Sequence, residues 1–217
     1  GQEVSDPALG FARSEFKIPV ENIAFEAMFR IDVLPRELYD FDEDAAVDAE
    51  TFYADLDGDG VDDMLIGAPD AVDGDHAPGK AYVLLGAPVG TLNLANARLE
   101  MAGERNLDFF GKAVSLSSDL DRDGRSDVVV SSEQGDGVAP FSGLVAVWYD
   151  PLSGATGPDD ADLRVSGEAE GSGAGYSISG GYDANNDGVD DLLIGSTRYG
   201  DSGDQLGAAH VILGSGL

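Results

Sequence analysis

From about residue 50 onward the chain is a series of short apolar runs, each bounded by Gly, Asp or Pro clusters. Met64–Gly67, Val128–Val130 and Leu192–Gly195 form one set of runs. A second run follows each of them: Lys80–Gly86 (KAYVLLG), Leu144–Tyr149 (LVAVWY) and Ala208–Gly214 (AAHVILG). Gly111–Ser118 (GKAVSLSS) and Gly175–Gly180 (GYSISG) alternate apolar and small polar residues, and Arg98–Ala102 is a more polar stretch of the same length class. The runs are rich in Val, Ile, Leu and Tyr, too short for helices and punctuated as strands are. No stretch after residue 50 carries a helical period, so the pattern predicts an all-β chain.

The runs recur with a fixed period. Asp55–Asp63 (DLDGDGVDD), Asp119–Asp127 (DLDRDGRSD) and Asp183–Asp191 (DANNDGVDD) begin 64 residues apart, and Ala97–Glu104 (ARLEMAGE) matches Ala161–Glu168 (ADLRVSGE) at the same spacing. About four strands every 64 residues is the arithmetic of a β-propeller blade. The expected organisation is an N-terminal segment, 1–46, followed by three repeats over 47–217, approximately 47–110, 111–174 and 175–217. The third repeat lacks an outer strand, and Phe16–Val33 has the strand-like apolar content to supply it. Ring closure is open at this point between a degenerate fourth blade in 1–46, the combination of two chains, and a longer protein. Pro35–Asp44 reads as an acidic loop or short helix; Phe25, Met28 and Phe29 fit a helical face or a strand equally well, and read as core.

Charge sharpens the picture. The 217 residues include 42 Asp and Glu against 12 Lys and Arg, a formal charge of −30. Such a chain would repel a phosphate backbone or an anionic membrane rather than bind either. No apolar run approaches the ~20 residues needed to cross a bilayer. There is no Cys, hence no disulfide framework and no thiolate chemistry.

The acids are placed, not scattered. Each acidic segment fits D-x-[DN]-x-D-G-x-x-D, so side-chain oxygens at positions 1, 3, 5 and 9 converge if the backbone curls, with the position-7 carbonyl as a further donor. The candidate ligands are Asp55, Asp57, Asp59, Val61 and Asp63; Asp119, Asp121, Asp123, Arg125 and Asp127; and Asp183, Asn185, Asp187, Val189 and Asp191. Gly60, Gly124 and Gly188 permit the curl. An all-oxygen donor set describes calcium better than zinc or magnesium, and about three ions are expected. An EF-hand is excluded because its position-12 Glu is replaced by Ile66, Val130 and Ile194.

These features resemble the FG-GAP repeat of integrin α-subunit β-propellers, with similar repeats in bacterial secreted proteins. Phe110-Gly111 supplies FG and Gly67-Ala68-Pro69 supplies GAP. No repeat holds both: Val47-Asp48 stands at the FG place of the first, Ser131-Ser132-Glu133 at the GAP place of the second, and the third has Gly173-Ala174-Gly175 and Gly195-Ser196-Thr197. The resemblance implies that each calcium loop joins the first two strands of a blade and stiffens it without performing catalysis.

Catalytic chemistry is thinly represented. The two His are His76, in a Gly- and Asp-rich loop, and His210, inside an apolar run. No zinc-protease, nucleophile-elbow or phosphate-loop motif occurs. The expected function is a non-catalytic, calcium-stabilised module for adhesion or for recognition of a protein or glycan. Its contacts would lie in the long loops Asp70–Gly79, Glu133–Phe141 and Thr197–Leu206. The alternative is a structural subunit or spacer of a larger assembly, with a homo-oligomer or neighbouring subunits as partners; a hydrolase-associated domain is the lesser reading. Sites of this kind fill at millimolar calcium, which places the chain outside the cytosol: extracellular, at the cell surface or periplasmic.

Overall fold

A computed structural model describes residues 3–6, 11–14, 51–72, 76–86, 94–149, 151–198 and 207–214. Two compact units are distinguished, Gly1–Glu37 and Leu38–Leu217. In the first, β1 (Glu3–Asp6) and β2 (Phe11–Ser14) form an antiparallel hairpin, with Val4 opposite Arg13. The stretches Phe16–Val33 and Pro35–Asp44 lie outside the described residues.

The second unit is built from three antiparallel sheets. The first comprises β3 (Thr51–Ala54), β4 (Asp63–Ala68), β5 (Lys80–Leu84) and β6 (Leu99–Ala102). The second comprises β7 (Phe110–Ser118), β8 (Asp127–Ser132), β9 (Leu144–Trp148) and β10 (Leu163–Ser166). The third comprises β11 (Ala174–Tyr182), β12 (Asp191–Ser196) and β13 (Ala208–Ile212). In every sheet the strands are hydrogen-bonded in chain order, as a blade with hairpin connections requires. Helical geometry among the described residues is confined to three-residue 3-10 turns at Leu94–Asn96, Pro151–Ser153 and Pro158–Asp160. The fold is all-β, as the apolar runs predict.

Burial explains why the second strands read as continuous apolar runs. Every residue of β4 and of β8 is buried, because both faces of these strands are covered. Side chains alternate between faces. Leu65, Ala81 and Val83 of the first sheet meet Val114, Leu116, Val128, Val130 and Trp148 of the second in one apolar core. Phe110 and Trp148 pack edge to face in it, ring centroids 6.4 Å apart. Val129, Val145 and Val147, on the other face of the second sheet, meet Ala174, Leu192 and Ile194 of the third.

Glycines set how closely the sheets approach. A Cβ on Gly67 in β4 would lie 2.2 Å from the Gly111 carbonyl oxygen in β7. Two parallel bridges stitch the same junctions, Gly79 to Phe110 and Gly143 to Ala174. The first sheet is also tied to the loop after β9: the Ala102 amide donates to the Thr156 carbonyl at 3.0 Å, and Arg98 donates to the Leu152 carbonyl at 3.0 Å.

Candidate metal centre

The loops between the first and second strands of the three sheets share one hydrogen-bond plan. At position 1, Asp55, Asp119 and Asp183 each accept the position-5 amide on Oδ1 at 2.9–3.1 Å. The same side chains accept the glycine amide of position 6 on Oδ2 at 2.7–3.0 Å. Position 3 (Asp57, Asp121, Asn185) accepts the position-5 amide on Oδ1. Position 5 (Asp59, Asp123, Asp187) accepts the amide of position 7, which is Val61, Arg125 and Val189 respectively. Each loop is thus wound around its own aspartates.

Position 6 takes a left-handed backbone in all three: φ is 85° at Gly60, 86° at Gly124 and 84° at Gly188. A Cβ at Gly60 or Gly124 would touch nothing within 4 Å, so the glycine answers a dihedral and not a lack of space. Position 4 is left-handed too, at Gly58, Arg122 and Asn186. The sequence signal for that second curl is the Gly and Asn found there in two loops of three.

The winding brings carboxylates together. Oxygens of Asp55, Asp57 and Asp63 lie within 4.8 Å of one another, and so do those of Asp119, Asp121 and Asp123. Asp59 in the first loop and Asp127 in the second stand outside those triads. Among the described residues, the third loop forms no such group; its position 3 is Asn185, whose Nδ2 donates to Asp187 Oδ2 at 2.8 Å. Three like charges that close repel one another and favour a hard cation between them. Burial and the charges of Asp123 and Asp119 hold Asp121 above the usual carboxylate range. Asp127 is pushed up to about 8, by burial first and then by Asp121, Asp119 and Asp123, against the Leu120 amide that favours its charged form.

Position 9 does something the spacing alone does not reveal. Asp63, Asp127 and Asp191 are fully or almost fully buried. Their Oδ2 atoms accept the amide of position 2, Leu56, Leu120 and Ala184, at 2.7–2.8 Å. The Oδ1 of Asp63 accepts the Gly86 amide at 2.6 Å and that of Asp191 the Gly214 amide at 2.9 Å, both just past the third strand. Each of these two carboxylates clasps the acidic loop to the end of the third strand, which antiparallel pairing brings alongside it (Met64 opposite Leu84, Leu192 opposite Ile212). The Oδ1 of Asp127 is buried without a hydrogen-bond partner.

The FG-GAP repeat family matches residues 174–212, which are β11 to β13 with the third acidic loop. The chain belongs to the FG-GAP repeat family. It is 32% identical over 153 residues to integrin alpha-IIb of Mus musculus, covering 68% of this chain and 14% of that one. Integrin alpha-PS2 of Drosophila melanogaster is 30% identical over 158 residues, covering 66% of this chain and 11% of its own length. Phosphatidylinositol-glycan-specific phospholipase D of Rattus norvegicus is 33% identical over 150 residues, covering 67% and 17%. The chain therefore spans between about a tenth and a sixth of these curated relatives. In this FG-GAP chain His76 is exposed beside Pro78, Glu104 and Arg105, and His210 sits in β13 opposite Ile194. No helix among the described residues is long and apolar enough to cross a membrane.

Proposed function

We propose that the chain is a calcium-stabilised, non-catalytic β-propeller module of the integrin α type that works outside the cell or in the periplasm, in adhesion or in recognition of a protein or glycan. The reading rests chiefly on two carboxylate triads, Asp55/Asp57/Asp63 and Asp119/Asp121/Asp123, at the same place in consecutive sheets. Asp59, Asp123 and Asp187 at position 5, Asp127 and Asp191 at position 9, and the carbonyls of Val61, Arg125 and Val189 complete three proposed donor sets, with Asp183 and Asn185 beginning the third. The donors are all hard oxygens, which fits calcium. The ion would neutralise the mutual repulsion of the carboxylates and cross-link each loop.

Recognition belongs to the loops at the other strand ends. A groove of about 510 Å³ there is lined by Glu133, Gln134, Phe141, Glu170 and Arg198. Phe141 is exposed in a left-handed backbone conformation, an arrangement suited to contact rather than to packing. The named relatives include integrin α chains, which supports adhesion over a spacer role.

The test is calorimetric titration of the chelator-treated chain with calcium, with a melting curve at each end point. About three ions bound with a clear rise in melting temperature support the reading. No uptake and no stabilisation refute it and leave the loops as acidic turns.

A further inference from the structure

We propose that Arg122, on the second acidic loop, is the resident counter-charge of the third, so that calcium enters the third loop against a cation the protein already supplies. The inference rests on the calcium reading above and names the residue that sets the weakest of its sites.

Arg122 stands at position 4 of the second loop in a left-handed backbone, φ 64°. It is exposed and reaches the neighbouring repeat. A Cβ on Gly188, position 6 of the third loop, would lie 3.4 Å from Arg122 Nη2 and 3.9 Å from its Cζ. The Gly188 amide donates to Asp183 Oδ2 at 2.7 Å, so the guanidinium lies beside the backbone that holds the third loop's first carboxylate. Two further contacts fix the loops together. The Asp119 amide, at the start of the second loop, donates to Asp190 Oδ2 of the third at 3.1 Å. A Cβ on Gly214 would lie 2.7 Å from Val189 Cγ1 and 3.1 Å from the Leu120 carbonyl oxygen. Val189 is accordingly buried, whereas its counterpart Val61 is 40% exposed.

The first and second loops lack the means for such a link. Position 4 of the first loop is Gly58, which has no side chain to extend, and Ser126 stands in the second loop where the third has Asp190. A Cβ on Gly124 would meet nothing within 4 Å.

The linked loops also differ in how their carboxylates are answered. In the second, Asp127 Oδ1 is buried without a hydrogen-bond partner, an oxygen suited to a cation. In the third, Asp191 Oδ1 holds the Gly214 amide and Asn185 Nδ2 donates to Asp187 Oδ2 at 2.8 Å. No carboxylate triad forms there among the described residues. Arg122 adds a full positive charge to that loop. It forms no salt bridge among the described residues, so it acts through its field. Because water surrounds it, a change of about tenfold on a divalent ion is the scale to expect, and only at low ionic strength.

The experiment is calorimetric titration of the chelator-treated full chain with calcium in low salt. Arg122→Gln should tighten the weakest binding step about tenfold and leave the tighter steps unmoved. Arg122→Lys, which keeps the charge, should bind as the parent does, and added salt should narrow the gap between Arg122→Gln and the parent. In an Asp187→Ala chain, whose third loop has lost a ligand, Arg122→Gln should change nothing. An unmoved weakest step in Arg122→Gln overturns the proposal, and so does equal tightening by Arg122→Lys, which would mean that charge is not the cause. Tightening that persists with Asp187→Ala also overturns it, because Arg122 would then act on its own loop. A parent that takes up no calcium sinks the calcium reading and this inference together, whereas a parent that binds about three ions with Arg122→Gln unchanged sinks this inference alone.

Discussion

Gly67 and Gly111 lie back to back across the junction of the first and second sheets: a Cβ on Gly111 would sit 3.2 Å from the Gly67 Cα and 2.3 Å from the Lys80 carbonyl oxygen. Gly111 also has a left-handed φ of 88°. The two halves of the FG-GAP signature therefore meet between neighbouring repeats and not within one. GAP from the first repeat receives FG from the second, although neither repeat holds both.

Gly111→Ala should destabilise the chain by more than about 3 kcal/mol, since a strained dihedral and a clash with fixed backbone atoms add together. Gly60→Ala has a comparable φ of 85° but open space around it, and should cost only about 1–2 kcal/mol. Urea midpoints of the two variants decide the matter. Equal losses would mean that the close approach of the sheets contributes nothing.

Asp127 governs a pH response of the chelator-treated chain. Its pKa is raised to about 8 in the fold, by burial first, against ~4 for an unfolded carboxyl. Between those values the native state holds more protons than the unfolded one, so stability falls as pH rises through that window. Asp127→Asn should flatten the slope and raise the metal-free melting temperature at pH 8. Identical slopes for the two proteins would count against the raised value.

Asp160 acts in the opposite direction. Burial works to raise its pKa, but hydrogen bonds from Thr156 and Trp148 outweigh it and hold the carboxyl below its ordinary range. Its contribution is therefore present above the unfolded pKa of ~4 and lost as pH falls through the lower folded value. Asp160→Ala should cost about 1–3 kcal/mol at neutral pH, because the buried Trp148 Nε1–H loses its acceptor at 2.8 Å. Denaturation curves at neutral pH and near pH 3 should show the gap between variant and parent narrowing in acid. A constant gap would contradict the assignment.

The third loop should be the weakest of the proposed calcium sites, because Asn185 supplies one charge fewer than Asp57 or Asp121. Asn185→Asp is expected to tighten the weakest binding step about tenfold in calorimetry, with the other steps unmoved. A change in the tighter steps instead would reverse the order of the loops.

The sheets were legible in the sequence because one period carries both the strand runs and the loops between them: Met64, Val128 and Leu192, all buried, each follow the aspartate that opens a second strand. The acidic loops were legible as candidate sites for the same reason. What the pattern hides is any relationship that skips between repeats or pairs a side chain with a backbone group. The Gly67–Gly111 junction joins different repeats, so a search for FG and GAP in one unit finds each copy defective. The position-9 carboxylates look like ligands by spacing, and only the fold brings the amides of Gly86 and Gly214 to them. The hairpin of Glu3–Asp6 and Phe11–Ser14 left no mark because four-residue strands with mixed polarity carry no alternation to read.

The clasps at Asp63 and Asp191 have a consequence for a chain without cysteine. Each joins residues 23 apart in sequence by one hydrogen bond, donated by a backbone amide to a buried carboxylate. Bringing such ends together costs chain entropy that grows only with the logarithm of loop length, and proteins of oxidising environments often meet that cost with covalent cross-links. Here the ring is closed by a single backbone N–H on a buried carboxylate. It forms without an oxidant, survives a reducing medium, and opens only when the acidic loop itself comes apart.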